Sequence, residues 1–426
     1  MKQVLKTIIA DFHSRPLPAF KPRQLEIAFG LDKIITITGP RRAGKTWYFF
    51  QLMAELEERG ISREQMLYLN FEDERLRLEA NYDQIIEAYL ELYPDRNLDE
   101  IHFFFDEIQE LPNWEKYIRR LFDTVSRKIF LTGSNARMLS REIATSLRGR
   151  SLSFEIMPLS FTEFLLFRGI DPVARHATRS RARISGSFDE YLTWGGFPEL
   201  LEVETRFKAE ILQEYFNVML YRDLVERYAI HDPSVLKYLL KRLIGSFTKE
   251  FSVNKFYNDL KSRGIKISKD SIYRLIDQIF SIYMVTHVEK YDPSVVKREM
   301  GARKVYLHDN GFASVTQYAF SQDRGKLLEN LVFTKLRAAG EEIFFLKNGY
   351  ECDFAVFPRT GKPLLLIQVT ETLHRDNLAR EIAGLEKARQ RIEEGRCLLI
   401  AADITVSQEL IPNGIETRTA VEWLLE

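Results

Sequence analysis

The segment ITITGPRRAGKT sets Gly39, Gly44, Lys45 and Thr46 at the spacing G-x-x-x-x-G-K-[ST], directly after an apolar β-forming run and before the helix-periodic WYFFQLMAELEER. This order of strand, loop and helix suits phosphate. The glycines let backbone N–H groups close around phosphate oxygens, and the helix N-terminus that follows favours negative charge. Lys45 then reaches the β and γ phosphates of a nucleotide, and Thr46 offers a hydroxyl to Mg2+. The nucleotide-contacting set read from the loop is Gly39, Pro40, Arg41, Arg42, Ala43, Gly44, Lys45, Thr46 and Trp47. ATP and Mg2+ are the expected ligand and ion.

A second chemical stretch is IHFFFDE, in which four apolar residues and a histidine precede Asp106 and Glu107. A buried strand of this kind delivers its carboxylates at the C-terminal end, where open α/β sheets bind ligands. Asp106 is the expected partner of Mg2+, and Glu107 is placed to orient or deprotonate the attacking water. The next apolar run ends in TGSN, so Ser134 or Asn135 could stand between the acidic pair and the γ-phosphate, or simply close an Asx turn. Glu72 and Asp73 end another run and read as a solvated loop.

These groups need a scaffold, and residues 33 to 160 supply one. Short apolar runs alternate there with charged helical segments, the pattern of a parallel sheet covered by helices. The expected strands are 33–39, 66–73, 101–107, 128–135 and 152–159. Their near-continuous apolar character suits burial on both faces. Residues 161–230 read as a helical lid or connector broken at YLTWGGFPELL. Residues 231–310 hold three helix-sized segments and two short strands, a winged-helix pattern. Residues 311–426 read as a smaller α/β domain.

Composition bounds the rest. A chain of 426 residues exceeds what one core usually serves, so two to four domains are expected. No apolar run approaches the roughly 20 residues that span a bilayer. The N-terminus lacks the pattern of a secretory signal, Cys352 and Cys397 are the only cysteines, and a cytoplasmic protein without structural zinc is expected. Lys plus Arg and Asp plus Glu are both 61, which leaves any basic face local. Residues 232 to 304 hold 15 Lys plus Arg against 8 Asp plus Glu. With Ser268 as N-cap, a helix would present Lys269, Ser271, Tyr273 and Arg274, with Lys266 just before it, and Lys290, Lys297 and Arg298 could follow a phosphate backbone. DNA is the expected partner, with protein contact as the alternative.

GPRRAGKT, FFFDEIQ, LTGSN, SLRGRSLSFEIMPLSFTEFL and YLTWGGFPELL together resemble the prokaryotic AAA-type ATP-binding proteins with a C-terminal domain of unassigned role. The resemblance implies ATP binding and hydrolysis. It also implies that an arginine after the sensor strand, Arg148 or Arg150, serves a neighbouring subunit of a homo-oligomer, while RGR ahead of a strand could equally pair with surface acids. Glu329, Asp353, Gln368 and Thr370 in the last domain resemble the site of the restriction-endonuclease-like fold. There an Asp and a Glu hold a metal, with a Lys two residues past the Glu. Gln368 and Thr370 stand in the Glu and Lys places, so a catalytically inactive scaffold is expected. Lys347 and Lys362 are the lysines considered for the vacant role.

Overall fold

The computed structural model describes residues 1–27, 29–76, 78, 81–135, 147, 149–173, 178–316, 323–358, 364–392 and 395–426. It divides into two compact units, Met1–Met157 and Pro158–Glu426.

The first unit is built on strands β1 (Ile34–Thr38), β2 (Met66–Asn70), β3 (His102–Asp106), β4 (Ile129–Gly133) and β5 (Ser151–Glu155). They are parallel in the order β2-β3-β4-β1-β5. Every residue of β1, β3 and β4 is buried, which is why these strands read as continuous apolar runs. Strand alternation sends Phe103 and Phe105 to one face and Phe104 to the other. On the first face they meet helices α1 (Lys2–Ser14), α3 (Asp83–Leu92) and α4 (Trp114–Thr124) through Leu5, Ile85 and Trp114. On the second, Phe104 and Phe130 meet Phe49 and Leu52 of α2 (Lys45–Glu58). Each such buried side chain contributes about 1.5–3 kcal/mol.

The strand order matters for chemistry, because β4 lies between β1, which carries the phosphate loop, and β3, which carries the acidic pair. Gly39 ends β1 where no side chain fits: a Cβ there would lie 2.0 Å from the Ile156 carbonyl oxygen.

The second unit begins with α5 (Phe161–Phe167), whose entry is fixed by a reciprocal cap. The Glu163 N–H donates to Ser160 Oγ at 3.1 Å and the Ser160 N–H to Glu163 Oε2 at 2.9 Å. Helices α6 (Thr178–Trp194), α7 (Thr205–Val218, continued by a π-helical stretch Met219–Glu226), α8 (Pro233–Gly245), α9 (Val253–Ser262) and α10 (Lys269–Phe280) follow. Then come β6 (Val285–Lys290), α11 (Val295–Glu299), β7 (Arg303–Leu307), α12 (Arg324–Ala338), β8 (Glu342–Lys347), β9 (Glu351–Phe357) and β10 (Leu365–Leu373). The chain ends with α13 (Arg375–Arg391), β11 (Arg396–Ile404), β12 (Ile415–Thr419) and α14 (Ala420–Leu424).

Here the structure differs from a division into segments 161–230, 231–310 and 311–426. The sheet runs β12-β11-β10-β9-β8-β6-β7, so the ribbon β6–β7 continues the C-terminal sheet. Glu289 and Lys290 of β6 pair with Phe344 and Phe345 of β8. One apolar core also joins Phe161, Phe188 and Phe216 to Leu240, Val305, Leu331 and Ile400. The helices 161–230 therefore share their core with the second unit. Among the described residues no helix is long and apolar enough to cross a membrane.

The WGG break is explained by one carboxylate. Asp309 accepts the N–H of Gly196 and of Gly311, both at 2.8 Å. Gly195 has φ +74°, and a Cβ there would lie 1.7 Å from Asp309 Oδ1. Burial pushes the Asp309 carboxyl up to about 7, the two N–H donors only partly opposing it. A raised folded-state pKa contributes stability that is complete below the unfolded value, near 3.9, and is lost as pH rises through about 7. The expected result is a melting temperature of the second unit that falls between pH 5 and pH 8, with a shallower slope in Asp309→Asn. Calorimetry across that range checks it, and an unchanged slope would refute the assignment.

Candidate phosphate-loop site

The phosphate loop and the acidic strand meet through side chains. Thr46 Oγ1 donates to Asp106 Oδ2 at 2.7 Å, and Tyr68 Oη from β2 donates to the same oxygen at 3.1 Å. Thr132 of β4 donates to Asp106 Oδ1 while its own oxygen accepts the Glu107 N–H at 2.9 Å. Asp106, at the end of β3, is thus tied to β2, β4 and the start of α2. Burial, and then the neighbouring Glu107 charge, push its carboxyl up; the bonds from Thr132 and Thr46 work against that.

Lys45 is only 4% exposed. Its Nζ donates to the Gly39 and Pro40 carbonyls at 3.2 and 3.1 Å and faces Glu107 Oε1 at 3.3 Å. Burial by itself would raise the Glu107 carboxyl, but Lys45 and the amide of Gln109 hold it down to about 2. Gln109 Nε2 lies 2.5 Å from Glu107 Oε2 and 3.4 Å from Ser134 Oγ. A hydroxyl and a carboxylate of this kind form the donor set a hard cation uses. Thr46 and Asp106 therefore fit Mg2+.

The remaining loop residues surround this centre. Arg41 pairs with Glu72 at 2.7 Å, so Glu72 braces the loop, whereas Asp73 pairs with Arg75. Arg42 holds a left-handed φ of 64°. Ala43 is buried and Trp47 is 48% exposed, edge-on to Phe50. Asn135 and Ser134 are both buried at the end of β4. Arg148 lies outside the described residues. Arg150 pairs with Asp123 at 2.9 Å, and its carbonyl accepts the Ile34 N–H at the end of β1 away from the phosphate loop.

Four contributors were missed in the sequence, one of them Tyr68 with its bond to Asp106. Arg23 donates to the Ala43 and Met157 carbonyls at 2.7 and 2.8 Å, holding the loop from the segment before β1. Thr132 and Gln109 are the others. A hydroxyl inside the apolar run IFLTG was the available signal, since buried polar groups need partners.

In the second unit, Lys266, Lys269, Tyr273 and Arg274 are all exposed around the first turns of α10, whose N-cap Ser268 accepts the Ser271 N–H at 3.1 Å. Lys290 donates to Asn348. Lys297 and Arg298 sit on α11. In the C-terminal sheet, Lys347 is exposed and paired with Glu250 at 2.6 Å, and Lys362 lies outside the described residues. The lysine that reaches Asp353 is Lys304 of β7, at 3.6 Å, which the sequence did not single out.

Comparison with known proteins follows the same division. A family described as "AAA domain" matches residues 31–165, and one described as "Domain of unknown function (DUF8612)" matches residues 185–323. An uncharacterised protein of Methanocaldococcus jannaschii is 38% identical over 374 residues, covering 86% of this chain and 81% of that protein. The chain belongs to the family of that archaeal protein. A Haemophilus influenzae member is 28% identical over 93% of this chain and 95% of its own length. Among solved structures, the Walker-type ATPase of Pyrococcus abyssi is similar at TM-score 0.43 and 14% identity, covering 74% of this chain and 95% of that one. The Aeropyrum pernix ORC1 protein in complex with DNA is similar at TM-score 0.29 and 13% identity, covering 79% and 94%. In this family member the first unit is a P-loop sheet with an acidic strand beyond β4.

Thr132→Val removes a donor to Asp106 and an acceptor for the Glu107 N–H at once. The expected cost is about 1–3 kcal/mol for a buried group left unpaired. Urea unfolding of the first unit reads it, and a change under about 0.5 kcal/mol would contradict the role given to Thr132.

Proposed function

We propose that the chain is a Mg2+-dependent ATPase that couples nucleotide turnover to binding of DNA. The observation that carries the first half is the Thr46–Asp106 hydrogen bond at 2.7 Å, with Lys45 and Glu107 beside it in one buried cradle. Thr46 and Asp106 would hold Mg2+ there, and the ion would offset the negative charge of the phosphates.

The chain's own groups divide the remaining tasks. Phosphate oxygens attract an ammonium more strongly than the neutral Gly39 and Pro40 carbonyls do, so entering ATP draws Lys45 away from Glu107. Glu107 is then freed at Oε1 while Gln109 keeps hold of Oε2. The freed oxygen accepts a proton from water as that water's oxygen forms a bond to the γ-phosphorus and the bond to the bridging oxygen breaks. ADP leaves with that bridging oxygen.

The DNA half rests on connectivity and charge. The chain after α8 makes bridges from Phe247 to Val305 and from Glu250 to Lys304 before α9, α10 and the β6–β7 ribbon. That order, with the exposed Lys266, Lys269, Tyr273 and Arg274, supports a winged helix with α10 as its recognition helix. The local excess of 15 basic over 8 acidic residues supports a phosphate backbone as the surface it meets. A second reading is a nucleotide-gated binding switch with slow turnover. It is favoured by the Lys45–Glu107 ion pair, which engages the carboxylate that would activate water. In either reading the C-terminal sheet is a scaffold without nuclease activity and the protein works in the cytoplasm. A neighbouring copy completes the site only if Arg150 gives up Asp123 or Arg148 takes the part.

Lys45→Ala and Glu107→Gln are each expected to lower ATP turnover by at least about a hundredfold, in the range seen when a group acting in the transition state is removed. Undiminished hydrolysis in both refutes the ATPase. DNA affinity is expected to fall at least tenfold between 50 and 300 mM salt, and further in Lys269→Ala/Arg274→Ala. Binding indifferent to salt refutes the DNA surface. Turnover that rises several-fold on adding DNA favours coupling, and an unchanged rate with ATP-dependent affinity favours the switch.

A further inference from the structure

The second unit contains a cleft of about 700 Å³ lined by Glu329, Glu351, Asp353, Gln368 and Glu381, among others. Three of these carboxylates converge on one ammonium. Lys304 Nζ lies 2.8 Å from Glu351, 3.4 Å from Glu329 and 3.6 Å from Asp353, and the lysine is 3% exposed. The same carboxylates have further internal donors. Tyr306 Oη donates to Glu329 Oε1 at 2.7 Å, and the Val369 N–H donates to Asp353 Oδ2 at 2.9 Å. Glu381 accepts from Gln368 Nε2 at 3.0 Å and pairs with Arg380.

A divalent metal, which the restriction-endonuclease likeness implies for Glu329 and Asp353, fits this arrangement poorly. Hard divalent ions bring carboxylate oxygens to about 2.0–2.6 Å, whereas these are spread around an ammonium at 2.8–3.6 Å. The space that the three carboxylates share is occupied by the Lys304 ammonium. Burial, then the Asp353 charge, push Glu329 up to about 8, while Lys304 is driven above its ordinary range because its three carboxylates outweigh the effect of burial. The Lys304 ammonium supplies the positive charge that the three carboxylates share.

We infer that Lys304 is the resident cation of this cluster, standing where a divalent metal would otherwise sit, and that the cleft is a metal-free clamp joining β7 to β9 and α12. Its position gives the clamp a purpose. Lys304 also forms the backbone bridge to Glu250, so its side chain and its backbone both lie where the segment between α8 and α9 meets the C-terminal sheet. Loss of one buried partner leaves uncompensated charge, which is why the cluster resists opening.

The test is a gain of binding. Full-length, nucleotide-free protein is titrated with Mn2+ at pH 7.5 and followed by electron paramagnetic resonance, so that any ion at the phosphate loop is common to all variants. Lys304→Ala is expected to bind one Mn2+ more than the unaltered chain, at least tenfold tighter than any second site of the latter, and to lose it in Lys304→Ala/Asp353→Asn. Lys304→Met/Glu351→Gln, which removes one charge of each sign, reports the same vacancy should Lys304→Ala fail to fold. Two results would overturn the inference: a Mn2+ site in the unaltered chain that Asp353→Asn abolishes, or folded Lys304 variants that gain none. Metal-dependent nicking of DNA by the unaltered chain that Asp353→Ala eliminates would do so as well.

Discussion

The buried carboxylate of Asp106 is the constraint on which the first unit depends. An ionised carboxylate taken out of water is costly unless its lone pairs are met, and here Thr46, Tyr68 and Thr132 meet them. Those donors come from the helix start, β2 and β4, so satisfying one charge sets the depth of the loop relative to the sheet. The order β2-β3-β4-β1-β5 makes this possible. Were β3 directly beside β1, no β4 hydroxyl could stand between Asp106 and the phosphate loop.

The second unit uses buried charge differently. Asp309 is held by two backbone N–H groups and Lys304 by three carboxylates. Neither is at the surface, where ion pairs contribute little. Both join parts of the chain distant in sequence, Asp309 with the glycines after α6 and Lys304 with β9 and α12. Networks of this sort fix which packing is adopted more than how stable it is.

How far the sequence could be read follows from the range of the interactions. IIT, FFF and IFL are legible because a strand buried on both faces must be apolar throughout. The phosphate loop is legible because its spacing is local. Helices with a side-chain cap, such as the one after Ser268, are legible for the same reason. The ribbon β6–β7 was legible as two strands, but its pairing with β8 was not, since register between segments some 55 residues apart leaves no mark in either. β12 escaped notice because, on the sheet edge, it buries only Ile415. Lys304, Gln109 and Arg23 look like ordinary polar residues until the fold brings their partners to them.

Lys45 illustrates a last point about the cradle. Because its ammonium rests on Gly39, Pro40 and Glu107, nucleotide entry in the proposed ATPase would be an exchange of partners. The measured affinity then reports a difference between two sets of contacts, and a chain relieved of Glu107's charge would hold nucleotide more tightly while turning it over less. In the proposed ATPase the same pairing would act in reverse after hydrolysis. As phosphate departed, Glu107 would recapture the lysine, and an ion pair that delays loading would become a force for unloading.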